Sequence, residues 1–287
     1  MALTDYFKPV KTWDANKVKR FLDEHEPHEY ILIDVRQPQE YRQGHLPGAR
    51  LIPVKELDAH LQGLDPQKLV ITYCAAGVRS RAAASILGHA GFDLVVSMSG
   101  GIKAWNGLVA EGEPEMGSAW FSDARSPGEY LGLAWLIEDG TKQFYAKLSE
   151  MFDNQAGAFF RQLIAAEEHH KSSLRTLYHG LTGGASGLDF PAAVLPEPPG
   201  QTILEGGLPL TQALEWVKNR DYGQVLELAI GLETNAYDRY LLLAQEVVNE
   251  QSKVIFNYLA EEEKTHLNLL SDHLDHWLEM GREQQMK

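Results

Sequence analysis

The chain has one cysteine, Cys74, in 287 residues. That excludes an internal disulfide framework and a four-cysteine iron or zinc site within one chain. Basic residues are outnumbered by acidic ones, 26 to 40, and the net charge is −14. Such a surface repels nucleic acid and anionic membranes, so neither is expected as a partner. No apolar run approaches the ~20 residues that span a bilayer. The opening stretch MALTDYFKPVKTWD lacks the apolar core of a secretory signal. Together these absences predict a cytoplasmic protein in a reducing compartment. What is present is ordinary for a globular chain: 44% hydrophobic residues, and enough length for two domains with separate cores.

Two textures divide the sequence. In residues 1–110, short aliphatic runs alternate with helical patterns. Tyr30–Asp34, Leu69–Tyr73 and Leu94–Met98 read as strands buried on both faces, which predicts an α/β domain. Residues 111–125 carry Gly, Pro and charge without a period and read as a linker. Ser126-Pro127-Gly128-Glu129 then has the form of a capping box with proline at the first helical position. From residue 126 to 287 the pattern is helical, over about 127–151, 153–178, 221–248 and 250–280. A Gly/Pro-rich stretch at about 179–210 and a short helix near 212–219 separate the second and third of these. This predicts an all-α four-helix bundle with one long crossover.

Cys74 falls between strand Leu69–Tyr73 and a helix over Arg81–His89, in the loop Cys74-Ala75-Ala76-Gly77-Val78-Arg79-Ser80. A thiol there faces backbone N–H groups and the positive end of a helix dipole, which favour the reactive thiolate. Gly77 lets the loop curl, and Arg79 adds positive charge for an anionic donor. The loop resembles the active-site loop of the rhodanese family. Leu32-Ile33-Asp34-Val35-Arg36, Glu40-Tyr41, Gly44-His45-Leu46-Pro47-Gly48-Ala49 and Gly100-Gly101-Ile102-Lys103-Ala104-Trp105 resemble its other motifs, in the family's order.

The resemblance implies sulfane-sulfur transfer from a small donor, of thiosulfate or persulfide type, to a thiophilic acceptor. Cys74 would carry the sulfur, the backbone N–H groups of Ala75, Ala76, Gly77, Val78 and Ser80 would cradle it, and Arg79 would orient the donor. Ala75 stands where many members have arginine. Four residues separate Cys74 from Arg79, where the related phosphatases have five, which favours sulfur over phosphate. His45, Asp34 and Arg36 read as scaffold.

The helical half contains an internal repeat. Glu-x-x-His occurs at Glu167–His170 and at Glu263–His266, 96 residues apart, each within an apolar stripe. Glu138 with Tyr145 precedes the first motif, and Glu233 with Tyr240 precedes the second, 95 residues apart. A carboxylate in an apolar stripe is costly unless it is paired or binds a cation. Four carboxylates and two imidazoles converging in one bundle match the ligand pattern of di-iron carboxylate bundles. Oxygen and nitrogen ligands without thiolate suit iron or manganese, with zinc a further alternative. The expected ligands are Glu138, Glu167, His170, Glu233, Glu263 and His266, with Glu167 and Glu263 bridging two iron ions. Tyr145 and Tyr240 are expected to hydrogen-bond ligand carboxylates. Glu168, His169, Glu261, Glu262, His273 and His276 read as solvated.

This half resembles the rubrerythrin-like branch of the ferritin-like superfamily across about 127–280. The resemblance implies peroxide or dioxygen reduction, or iron oxidation. Rubrerythrins proper carry a further Glu one turn beyond the third-helix ligand; Ala236 stands there. No CxxC pair is present, so an external electron donor is expected. Ferritin-like bundles often pair through helix faces, which makes a homodimer the expected assembly. The chain thus reads as a sulfurtransferase fused to a di-iron domain. The alternative is a metal-storing or sulfur-sensing protein whose bundle has no turnover.

Overall fold

The computed structural model describes residues 10–112, 121, 124, 126–152, 154–182, 190–195, 200–247 and 249–285. The opening residues 1–9, most of the linker read at 111–125, and parts of the crossover (183–189 and 196–199) lie outside the described residues. The chain divides into two compact units. One is Met1–Pro114 with Asp238–Glu246; the other is Glu115–Tyr237 with Val247–Lys287.

The first unit is built on a five-stranded parallel sheet: β1 (Thr12–Trp13), β2 (Tyr30–Asp34), β3 (Arg50–Leu51), β4 (Leu69–Tyr73) and β5 (Val95–Met98), in spatial order β1-β5-β4-β2-β3. The three aliphatic runs supply the central strands. The two-residue edge strands β1 and β3 have no apolar run to announce them. Helices α1 (Ala15–Glu24), α2 (Pro38–Arg42), α3 (Leu57–His60) and α4 (Val78–His89) connect the strands. Alternate strand residues feed two separate cores, as the two-residue side-chain period requires. Tyr30, Leu32, Ile71, Tyr73, Val96 and Met98 pack with Ala15, Val18 and Tyr41. Ile31, Ile33 and Val70 pack with Leu57, Ala83 and Leu87 on the other face. Strand β4, which runs directly into Cys74, is the middle strand of the sheet.

The second unit is helical: α5 (Pro127–Met151), α6 (Asn154–Thr182), α7 (Leu210–Val217), α8 (Tyr222–Glu246), whose last residues from Asp238 are grouped with the first unit, and α9 (Glu250–Gln285). The N-terminus of α5 forms both bonds of the predicted capping box. The N–H of Glu129 donates to Ser126 Oγ at 3.3 Å, and the N–H of Ser126 donates to Glu129 Oε2 at 3.2 Å. Phe144, Tyr145 and Leu148 of α5 meet Phe159, Phe160 and Leu163 of α6 in one core. Val225, Leu226, Ala229 and Leu232 of α8, and Leu270 of α9, close it. No described helix is long and apolar enough to cross a membrane. The α/β half and the helical half read from the sequence are the architecture observed.

Candidate functional site

Two sites are formed, one in each unit. In the first, Cys74 sits at the carboxyl end of β4, the position where parallel sheets place their ligands. The helix after it begins at Val78, not at Arg81 as the sequence pattern indicates. The true loop is therefore only Cys74–Gly77, and Val78, Arg79 and Ser80 form the first helical turn. Gly77 makes this short turn possible. It is in the left-handed region at φ 98°, and its N–H points at Cys74 Sγ, 3.1 Å away.

The Gly100–Trp105 motif holds the loop from below. The N–H of Ile102 donates to the Cys74 carbonyl at 2.8 Å and that of Lys103 to the Ala75 carbonyl at 3.2 Å. A Cβ on Gly101 would overlap the Cys74 carbonyl, so the approach requires glycine. Ser80 is buried, and its Oγ lies 2.8 Å from Ser97 Oγ. Ala75 is half-buried, while Ala76 and Val78 are exposed at the rim.

Burial opposes ionisation of the Cys74 thiol. The N–H groups around Ser80, Ala76 and Gly77, with the Ser80 hydroxyl, outweigh it and hold the thiol below its ordinary pKa. Arg79 makes a two-pronged ion pair with Glu40, both contacts 2.7 Å. Hydrogen bonding to Arg79 holds Glu40 down at about 2, and the same bond, with charge from Glu40 and Cys74, raises Arg79. Asp34 and Arg36 form a buried ion pair at 2.6 Å, and Arg36 also donates to the Gly44 carbonyl. His45 is buried, stacks on Tyr41 and bonds the Tyr41 carbonyl through Nδ1 at 3.0 Å. These three residues lie in the scaffold.

In the second unit, Glu138 of α5, Glu167 and His170 of α6, Glu233 of α8, and Glu263 and His266 of α9 are all buried, and they converge. Their donor atoms form three-residue groups, each within 4.8 Å: Glu167, His170 and His266; Glu138, His170 and Glu263; Glu233, Glu263 and His266. The two imidazoles lie nearly parallel, ring centres 4.5 Å apart. His170 Nδ1 is 3.0 Å from Glu138 Oε2, and His266 Nδ1 is 3.5 Å from both Glu167 and Glu233. Tyr145 donates a hydrogen bond to Glu233 Oε1. Tyr240 is buried on α8, about two turns beyond Glu233.

Two residues at this site escape the sequence reading. Glu262, expected to be solvated, places Oε2 2.8 Å from His170 Nε2 and is only partly exposed. It sits beside Glu263 at the edge of the stripe, close enough to reach the ring nitrogen that faces away from Glu138. Glu205, in the crossover, is fully buried and lies within 4.8 Å of donor atoms of Glu138 and Glu167. No helical period marks it; the available signal is a lone acid between Ile203-Leu204 and Gly206-Gly207. Of the other residues read as solvated, Glu168 is exposed and pairs with Lys142 at 2.7 Å. His273 is half-buried, stacked on Phe159 and 2.7 Å from the Tyr222 hydroxyl.

The electrostatics are those of a cation site. Hydrogen-bond donors are lacking, among the described residues, for both carboxylate oxygens of Glu167, Glu205 and Glu263, and for one each of Glu138 and Glu233. Neither ring nitrogen of His266 makes a well-aligned hydrogen bond among the described residues, although Nδ1 stands 3.5 Å from Glu167 and Glu233. Buried polar atoms are almost always satisfied, so such a concentration marks an unmet ligand. Burial and mutual repulsion push Glu167, Glu205 and Glu263 well above the carboxylate range. Burial also opposes ionisation of Glu138 and Glu233. Charge and hydrogen bonding from His170 nonetheless hold Glu138 below its usual value, and His266 holds Glu233 at about 2. Burial and the Glu233 charge raise Tyr145 far above the usual phenol value, keeping it a donor. A pair of iron-class cations fits this oxygen- and nitrogen-rich donor set.

A parallel sheet with a cysteine loop, and a bundle with a buried carboxylate–histidine cluster, define a two-domain protein. The chain carries a rhodanese-like domain, matched over residues 14–108, and a rubrerythrin domain, matched over 224–283. The second match includes Glu233, Glu263 and His266; Glu138, Glu167 and His170 lie outside it and join the site by geometry. The protein YqhL of Bacillus subtilis is 40% identical over 78 residues, which is 27% of this chain and 62% of that protein. A rhodanese-like domain protein from Staphylococcus aureus is 28% identical over 36% of this chain and 100% of its own, with a TM-score of 0.34. The Alr3790 protein from Anabaena sp. is 30% identical over 36% of this chain and 82% of its own, with a TM-score of 0.33.

Proposed function

We propose that the protein transfers sulfane sulfur through Cys74 and holds a redox-active metal pair, iron by preference, in its bundle. The observation that supports the first activity is a lowered, N–H-cradled thiol at the mouth of the sheet. The thiolate attacks the outer sulfur of a donor such as thiosulfate. The donor's S–S bond breaks, and sulfite leaves with the electron pair. Cys74 is left as a persulfide anion, cradled by the N–H groups of the turn. A thiophilic acceptor then takes the outer sulfur and returns the thiolate. Cys74 is the chain's only cysteine, so the acceptor is another molecule. Arg79, tethered by Glu40, steers the anionic donor.

In the bundle, Glu138, Glu167, His170, Glu233, Glu263 and His266 would hold the metals, and Tyr145 and its counterpart Tyr240 would support the carboxylates. Glu262 orients His170 by binding its outer nitrogen. Burial of the six candidate ligands and both tyrosines shields the site from bulk solvent. Such a pair, when bound, supplies electron transfer to peroxide or dioxygen, with electrons from an external donor.

Intact mass after incubation with thiosulfate tests the first activity: a gain of one sulfur is expected, and it disappears in Cys74→Ser. Sulfur transfer to cyanide that survives this substitution overturns the assignment. Metal analysis of protein purified without chelator tests the second. A metal pair per chain, lost in Glu167→Ala or Glu263→Ala, supports it; a chain that stays metal-free after iron reconstitution refutes it. Oxidation of the reduced pair by peroxide separates an enzyme from a store.

A further inference from the structure

The six ligands read from the helices form two matching triads, Glu138–Glu167–His170 and Glu233–Glu263–His266. Glu205 belongs to neither. It is carried by a hairpin of the crossover. The N–H of Leu210 donates to the Thr202 carbonyl at 3.0 Å, that of Leu204 to the Leu208 carbonyl at 2.9 Å, and that of Gly207 to the Leu204 carbonyl at 2.8 Å. The hairpin is seated on α5 and α8 by contacts that only small residues permit. A Cβ on Gly140 of α5 would overlap the Ile203 carbonyl, and one on Gly206 would lie 2.9 Å from Leu232 Cα of α8. The adjacent Thr141 accepts a 2.9 Å hydrogen bond from the Glu205 N–H through Oγ1. Leu204 is fully buried in the bundle core.

The result is a fully buried carboxylate whose oxygens, among the described residues, meet no hydrogen-bond donor. A hairpin built only to close the crossover would carry an apolar residue here, because an unsatisfied buried acid opposes folding. Donor atoms of Glu138 and Glu167 lie within 4.8 Å of one of its own, and Glu263, one of the two carboxylates read as bridging, also interacts with it.

Resting on the metal-pair reading above, we infer that Glu205 is a seventh metal ligand, delivered by the crossover to the Glu138 side. The bundle cannot supply a mirror of it. The two hairpins α5–α6 and α8–α9 have short joins, and the chain has one crossover. The two metals are therefore inequivalent despite the repeated helices. Charge balance has a direction too. Four carboxylates with neutral imidazoles balance two divalent cations. A fifth adds a negative charge, which favours a pair of higher total charge.

Co(II) titration of chelated protein, followed by visible ligand-field absorption and equilibrium dialysis, tests this. The wild type is expected to bind two ions with distinct spectra. Glu205→Gln is expected to leave one ion unchanged and to weaken the other at least tenfold, the scale on which metal sites respond to loss of a supporting group. The spectrum of that ion alone should change. Glu205→Asp, which keeps the charge but shortens the reach, should fall between the two. Circular dichroism of the metal-free variants checks that the bundle is intact, and the Asp variant decides the matter if Gln does not fold. Equal affinities and identical spectra in wild type and Glu205→Gln overturn the role of Glu205 and leave the six-ligand reading standing. A wild type that binds no Co(II) overturns both.

Discussion

At the scale of single residues, the sulfur site is tuned by a few groups around one sulfur atom. Arg79 contributes to the positive field at Cys74, but Glu40 neutralises much of it through paired 2.7 Å contacts. Glu40→Gln should free that charge and lower the Cys74 pKa further, which titration of the ultraviolet thiolate absorbance would show. The same substitution has a signature in stability. Glu40 is held at about 2 in the folded chain, so its contribution is complete above the ordinary carboxylate value of 4.5. It is lost as pH falls towards 2. Both side chains are 34% exposed, so the pair is worth at most about 1 kcal/mol. Wild type should unfold at a slightly higher temperature than Glu40→Gln at neutral pH, and the gap should close in acid. An equal gap at both pH values would contradict this.

At the scale of elements, the crossover is the piece whose role the helix pattern conceals. It packs against α5 where Gly140 leaves room for the Ile203 carbonyl. Gly140→Ala adds a methyl group to a helix, which by propensity alone stabilises by about 1 kcal/mol. In this packing the methyl overlaps the crossover backbone, and overpacking costs about 1–3 kcal/mol. The net expectation is destabilisation, read by urea unfolding, together with weaker metal binding because the hairpin that carries Glu205 is displaced. A stabilised variant with unchanged metal affinity would show that the hairpin is not held there. Helix boundaries illustrate a related point. The α5 start is legible because Ser126, Pro127 and Glu129 satisfy their own backbone groups locally. The α4 start is misjudged by three residues because Gly77 alone, in the left-handed region, permits the earlier turn.

At the scale of the whole molecule, five buried carboxylates in one bundle oppose folding unless cations meet them. Metal binding to the native state alone should stabilise it by about 4 kcal/mol when free metal exceeds Kd a thousandfold. Thermal unfolding of the helical signal should therefore shift upward on loading and fall again with chelator. Glu167→Ala should abolish that shift while leaving the metal-free protein as stable as wild type or more so, because it removes a repelling acid. A metal-free variant less stable than the metal-free wild type would mean that Glu167 serves packing instead.

The sequence by itself determined the two-part architecture, because the periods differ: buried aliphatic runs for the sheet, stripes of three and four for the bundle. It also pointed to Cys74 and to the six paired candidate ligands that converge in the bundle, because a strand–loop–helix junction and a duplicated Glu-x-x-His are local patterns. Only the tertiary structure decided what depends on chain segments meeting at a distance. Glu40 reaches Arg79 from 39 residues away, Gly101 supports the Cys74 carbonyl, and Glu262 finds the outer nitrogen of His170. Glu205 is the clearest case. A single acid in an irregular loop has no period to betray it, and its burial follows from how the hairpin seats on two helices, which no local pattern encodes.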